Sequence, residues 1–162
     1  MIINRLIPSI HGTPRLMDEA IFRDQPMRLR ERMLAIPLER RLSYDAEQNT
    51  LFINFERLSV RTPADVESVR VAVARVLEPL GRRVYAVVNY DNFDLAPEMI
   101  EAWSAMVQAV VDRYYWGVTR YTTSGFLRLK LGDALAQRGL APHIYESGDE
   151  ARARVRQLSP GV

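Results

Sequence analysis

"RTPADVESVRVAVARVLEPLGRRVYAVVNY", residues 61–90, decides the fold. Thr62 suits a helix N-cap, because its hydroxyl can accept from a free backbone N–H of the first turn. Pro63 fits the first helical position, and Asp65 lies where the helix dipole favours negative charge. Val66, Val69, Val73, Val76, Leu77 and Leu80 recur at helical spacing and form one apolar side. Gly81 ends the unit. "VYAVVNY", residues 84–90, is then nearly continuous in apolar character, as expected of a strand covered on both faces. A capped amphipathic helix leading into such a strand is half of a parallel β-α-β unit, so a strand is expected before it and further helix–strand pairs after it.

Both are readable. Upstream, "RLSYDAEQNTLFINFER" holds two alternating runs, Leu42 and Tyr44, then Leu51, Ile53 and Phe55, around a loop that suits Asp45 and Asn49. Alternation puts one side of each strand on a core, and the pair reads as a hairpin. Downstream, "DLAPEMIEAWSAMVQAVVDRYY" predicts a second helix with Ile100, Trp103, Met106, Val107, Val110 and Tyr114 on its apolar side. "VTRYTT" predicts a strand and "GFLRLKLGDALAQRG" a third helix, with Leu127, Leu131 and Leu135 inward and Gly139 as its stop. "PHIYES" reads as a short last strand, and Ser147 with Glu150 as a capping box for "DEARARVRQL".

The expected fold class is α/β: a mixed, mostly parallel sheet with an N-terminal hairpin whose first strand is an antiparallel edge, and helices packed on the sheet. Residues 1–41 read differently. Pro8, Pro14, Pro26 and Pro37 punctuate them, which predicts an irregular arm with one short helix near "PMRLRERMLA", residues 26–35. Met27, Leu29, Met33, Leu34 and Ile36 suit the arm to cover a groove on this chain or on another. The α/β domain is expected over residues 42–162.

The composition excludes several classes of function. The 162 residues carry a net charge of +2, with basic residues interleaved among acids, which fits solvated helix faces rather than a nucleic-acid groove. The absence of cysteine excludes disulfides, thiolate metal sites and cysteine nucleophiles. No long apolar run marks a signal peptide or membrane span, so no membrane partner and a cytoplasmic location are expected. Only two histidines occur, His11 and His143, without metal-ligand spacing; no Walker loop, dinucleotide fingerprint or nucleophile elbow is present, and no metal or cofactor is expected.

Two segments are candidate ligand sites, because ligands of open α/β sheets collect beyond the carboxyl ends of strands. In "VNYDNFD", residues 88–94, Asp91 and Asp94 offer a carboxylate pair; the preferred alternative has Asn89, Asp91 and Asn92 shaping a turn and Asp94 capping the next helix. At the start of the third helix, Thr122, Thr123 and Ser124 offer hydroxyls, Gly125 allows close approach to the backbone, and Arg120, Arg128 and Lys130 offer charge to a phosphate or carboxylate. The preferred alternative is that Thr123 or Ser124 caps the helix while Arg128 and Lys130 face water.

Several long motifs carry a resemblance. "LMDEAIFRDQPMRLRERML", "LSYDAEQNTLFINFERLSVRT", "VNYDNFDLAPE", "RYYWGVTRYTTSGFLRLKLGDAL" and "APHIYES" stand in order over roughly residues 16–148. Together they resemble the C-terminal extension of some bacterial acyl-CoA:acetate/3-ketoacid CoA-transferases. Members of that family transfer CoA through a glutamate in a Glu-Asn-Gly-type segment of large α/β catalytic domains. "ESGDE", residues 146–150, is not such a segment, and glycine-rich CoA-binding loops are missing, so no catalytic residue carries over. The resemblance implies a noncatalytic accessory or assembly domain, whether excised or free-standing, with a transferase catalytic domain or a second copy as partner. The alternatives are a small-ligand or anion-binding domain, with CoA phosphates the obvious candidates, and, ranked last, a free-standing CoA-transferase. The element order is also similar to the STAS fold of anti-sigma-factor antagonists. The zone that carries the phosphorylated hydroxyl in that fold, here "NYDNFDLAP", offers only Tyr90.

Overall fold

The structure, a computed structural model, describes residues 36–159. The predicted arm helix at residues 26–35 and His11 lie outside the described residues.

A 3-10 turn at Leu38–Arg41 leads into β1 (Leu42–Asp45) and β2 (Thr50–Asn54). The chain continues through β3 (Ser59–Val60), α1 (Pro63–Leu77), β4 (Val84–Asn89), β5 (Asp94–Leu95), α2 (Ile100–Tyr114), β6 (Tyr115–Tyr121), α3 (Gly125–Gln137) and α4 (Gly148–Leu158). The main sheet has the order β1-β2-β4-β6. β1 is the antiparallel edge, pairing Leu42 with Ile53 and Tyr44 with Leu51. β2, β4 and β6 run parallel, with Ile53 opposite Val88 and Val88 opposite Arg120. The mixed α/β architecture is the one the sequence predicts.

Alternation along the strands divides the apolar side chains between two layers. Leu51, Ile53, Val84, Ala86 and Val88 meet Val66, Val69, Val73 and Leu77 of α1, and Trp103, Met106, Val107 and Val110 of α2, with Leu131 and Leu135 of α3 in the same core. The opposite face of β4 sends Val87 against Ala151 and Val155 of α4, beside Phe52, Tyr85, Tyr121 and Tyr145. β4 is therefore covered on both sides, as its unbroken apolar run requires. Leu51, Leu77 and Leu135 are all fully buried, and each contributes about 1.5–3 kcal/mol by leaving water.

The helix boundaries follow local chemistry. Thr62 caps α1 in a complete capping box with Asp65, whose carboxylate accepts from the backbone of Arg61 and Thr62; these bonds hold it below the usual aspartate range. Ser124 caps α3, accepting from Leu127 N at 3.2 Å. Ser147 caps α4, accepting from Glu150 N at 3.3 Å. Gly139, with φ +69°, takes the left-handed position after α3.

Three features differ from the sequence expectation. "PHIYES" is not a strand but one parallel bridge, Tyr145 to Tyr121, with Tyr145 N donating to Arg120 O at 2.7 Å. Pro142 lacks a donor just before it and the Ser147 cap follows just after, so no longer ladder fits. The predicted second helix stops one residue short, because Tyr115 already starts β6 while its N–H still donates to Val111 O. Tyr115 is buried and Trp116 exposed, with the Arg83 guanidinium 5.4 Å from the Trp116 ring. Finally, β3 and β5 form a small separate parallel sheet with Ser59 opposite Asp94, so Asp94 is a strand residue and not a helix cap. A 3-10 turn at Pro97–Met99 starts α2 without a side-chain cap.

Candidate functional site

The parallel β2, β4 and β6 end at one edge, and their next residues form the loops where a ligand would be expected. The polar side chains there are bonded to one another. Asn54 and Asn89 are register partners, and Asn89 Nδ2 donates to Asn54 Oδ1 at 3.1 Å. Asn89 Oδ1 accepts from Asp91 N at 2.8 Å, and Asn54 Oδ1 from Glu56 N at 3.0 Å. Asn92 supplies the turn, with φ +52°. Asp91 Oδ1 reaches across to the next loop, accepting from Thr123 N at 2.7 Å and Thr123 Oγ1 at 3.0 Å. Asp94 takes no part: its carboxylate accepts from Ser59 Oγ at 3.0 Å and pairs with Arg61. Asp91 and Asp94 therefore do not act as a carboxylate pair.

The start of α3 is equally self-contained. Thr122 is fully buried; its Oγ1 accepts from Ser124 N at 3.2 Å and its N–H donates to Tyr145 O at 3.0 Å. Arg128 donates to Thr122 O at 2.8 Å and lies 3.3 Å from Glu146 Oε1. Gly125 meets only the Arg128 guanidinium, 3.6 Å from where a Cβ would sit. Lys130 is exposed, its ammonium 5.8 Å from the centre of the Phe126 ring. Gly125, Arg128, Leu129, His143, Tyr145, Glu146 and Glu150 line an open groove of about 660 Å³ beside this helix start. Its one arginine is already paired, and two glutamates share the groove.

Arg120 is the main correction among the candidate residues. It does not reach the groove. Its side chain leaves β6 on the α1–α2 side, into the core, where only 2% of the residue is exposed. The alternation that turns Thr119 toward α4, where its hydroxyl donates to Ala151 O at 2.9 Å, sends Arg120 the other way. Burial pulls its pKa down, and the Tyr90 and Tyr115 phenols push it back up.

A second groove, of about 240 Å³, lies at the same strand edge on the α4 side, lined among others by Arg40, Asn54, Asn89, Tyr121 and Arg152. Arg40 and Arg152 were not singled out from sequence, because each sits in an ordinary mixed-charge run. Gly148 lets these side chains approach closely: a Cβ would stand 2.8 Å from the Arg152 guanidinium and 3.1 Å from the Tyr121 ring. Arg41, also lining this groove, is buried and donates to three carbonyls, Ile36 O at 3.1 Å, Asn54 O at 3.0 Å and Glu56 O at 2.7 Å, so it fastens backbone and is not offered to a ligand.

Among the described residues no three His, Asp or Glu side chains group as metal ligands, and no helix is long and apolar enough to cross a membrane. Comparison of the chain with known protein families, with curated proteins and with solved structures finds no match in any of the three.

Proposed function

We propose that this chain is a noncatalytic accessory or assembly domain, related to the C-terminal region of CoA-transferases, that works by contact with a protein partner. The observation that carries the reading is the commitment of polar groups at the strand edge. Asn54, Asn89, Asp91, Thr122, Thr123, Ser124 and Arg128 are all engaged in hydrogen bonds within the fold. Large apolar side chains lie outside instead: Trp116, Phe126 and Leu129 are each at least 66% exposed. Exposed aromatic and aliphatic groups of this kind favour protein contact over chemistry. The resemblance of the ordered motifs to the transferase extension suggests the partner class, and the element order supports a STAS-like binding module by analogy. Size-exclusion chromatography with and without a transferase catalytic domain tests it. Co-elution or self-association is expected; independent migration of a monomer in both runs overturns it.

A second reading has one specific observation behind it, the groove lined by Gly125 and Arg128. A phosphate of CoA would there compete with Glu146 for Arg128. Calorimetric titration with CoA decides it. Binding that weakens in Arg128→Ala favours this reading, and flat heats at millimolar CoA remove it.

A further inference from the structure

The two edges of the main sheet are finished differently. β1 closes one edge with four residues, the last of them Asp45. β6 closes the other with seven, and its sequence YWGVTRY holds no proline, lysine or carboxylate. An edge strand presents a row of free backbone N–H and C=O groups, and natural sheets keep other chains off it with short strands, charge, proline or bulges. β1 is short and charged. β6 has a single bulge, at its start, and its one charged side chain, Arg120, is turned into the core.

The bonds at the end of β6 fix the direction of its backbone groups. Tyr121 O accepts from Tyr90 N at 2.9 Å, on the β4 side, and Arg120 O accepts from Tyr145 N at 2.7 Å, on the outer side. Backbone groups alternate between the two sides along a strand, so Gly117 and Thr119 face β4 while Val118 faces outward. Tyr145 covers the outer edge only at Arg120 and Thr122, through one bridge. Among the described residues no backbone group bonds to the outward N–H or C=O of Val118.

Apolar side chains gather beside this open stretch. Tyr115 and Gly117 face Val84 and Tyr85, so Trp116 is the extra residue of the bulge. Trp116 is 66% exposed, and the Arg83 guanidinium on its ring is itself fixed by donating to Asp112 O and Tyr115 O. Gly117 lies against Leu158 of α4, which is also exposed. A large exposed indole whose position is already fixed is the type of side chain that anchors protein contacts.

We propose that β6 is a dimerisation edge: two copies of this chain pair their β6 strands antiparallel, across a twofold axis near Gly117. The proposal rests on the reading of this chain as an assembly domain and names a second copy as the partner. Unpaired backbone groups at a sheet edge are satisfied by another strand, and a second β6 is self-complementary. Pairing centred on Gly117 sets Val118 of each copy opposite Trp116 of the other and closes after two chains. The paired stretch carries no charge, so no like charges meet across the ladder. The joined sheet would then end on both sides in β1, the edge that is short and charged.

Sedimentation equilibrium of the whole chain over a concentration series is the test. The apparent mass should rise from monomer to dimer and no further. Exchange of the Val118 amide should slow by about tenfold or more from the lowest concentration to the highest, and by more than that of Thr119, whose N–H faces β4. Val118→Pro removes the outward donor at a position where an edge strand tolerates proline, and should leave a folded monomer. Trp116→Lys, which puts a charge on the edge, should do the same and carries the test if Val118→Pro fails to fold. A chain that stays monomeric overturns the proposal, as does a dimer that the folded variants leave intact or a Val118 amide indifferent to concentration. A monomer that co-elutes with a transferase catalytic domain overturns this proposal alone and leaves the accessory-domain reading standing. A dimer that these variants break, without such co-elution, supports the edge and removes the transferase domain as partner.

Discussion

Arg120 and Thr122 are two residues apart on one strand, yet they belong to regions that treat polarity in opposite ways. At the strand edge, Thr122, Thr123, Ser124, Asp91 and Asn89 find partners within the chain, mostly backbone N–H groups. In the core, the Trp103 indole N–H is buried without a partner, while Arg120 reaches Ala141 O at 3.4 Å and the Tyr90 phenol. The edge is where sequence logic looks for a ligand, yet the unpartnered buried polar atom among the described residues is the Trp103 Nε1 in the core. A polar residue near the carboxyl end of a strand is therefore a weak sign of a site until its partners are counted, because turns and helix starts consume the same side chains.

The largest test of this contrast is Trp103→Ala. The residue is fully buried and its ring contacts Phe55, Tyr90 and Phe93. Its removal should cost about 3–5 kcal/mol in urea unfolding, as for other buried aromatic truncations. A loss below about 1 kcal/mol would mean that the core around Trp103 is already loosely packed.

The alkaline limb of stability comes next. Burial raises the folded pKa of Tyr90 and Tyr115 above 10.0, and burial and a hydrogen bond to Glu78 raise that of Tyr114. A phenol whose folded pKa is raised contributes stability that is fully present below its unfolded value, about 10, and is lost as pH rises through the folded value. Unfolding midpoints should therefore fall as pH rises above about 10, with ionisation absorbance of these phenols appearing together with loss of fold. In Tyr115→Phe the fall should be shallower. An unchanged slope in that variant would place Tyr115 in contact with solvent.

At the edge, Asp91→Ala removes the acceptor of Thr123 N and Oγ1 and so detaches the β4 loop from the start of α3. Because the carboxylate is partly exposed, water replaces part of what is lost and the expected cost is about 1 kcal/mol. Hydrogen exchange at Thr123 should accelerate in step. No change in either measurement would remove Asp91 from the self-bonded network and return it to the list of free groups at the edge.

Much of this was legible beforehand, for identifiable reasons. The Thr62, Ser124 and Ser147 caps and the Gly139 stop depend on local chemistry, and the two-sided burial of β4 depends on one continuous apolar run. The β3–β5 sheet was not legible, because each strand has only two residues and the pairing joins positions thirty-five apart. Arg120 was legible in type but not in direction. "VTRYTT" does not say which face points at α2, and a one-residue change of face separates a groove arginine from a core arginine. Arg41 was missed because its three acceptors are backbone carbonyls, and a carbonyl leaves no mark in the sequence.

The smallest expected effect separates the two regions most cleanly. Gly125 has no positive φ, and an added Cβ would meet only a flexible guanidinium at an ordinary 3.6 Å. Gly125→Ala at the first position of α3 should therefore change stability by about 0.5 kcal/mol or less, and in the stabilising direction, because alanine loses less backbone entropy in a helix. If a phosphate sits against the backbone at this helix start, the added methyl group should weaken CoA binding in calorimetry while the fold is unharmed. If the strand edge only joins a strand to a helix, the variant should match the parent in both stability and titration.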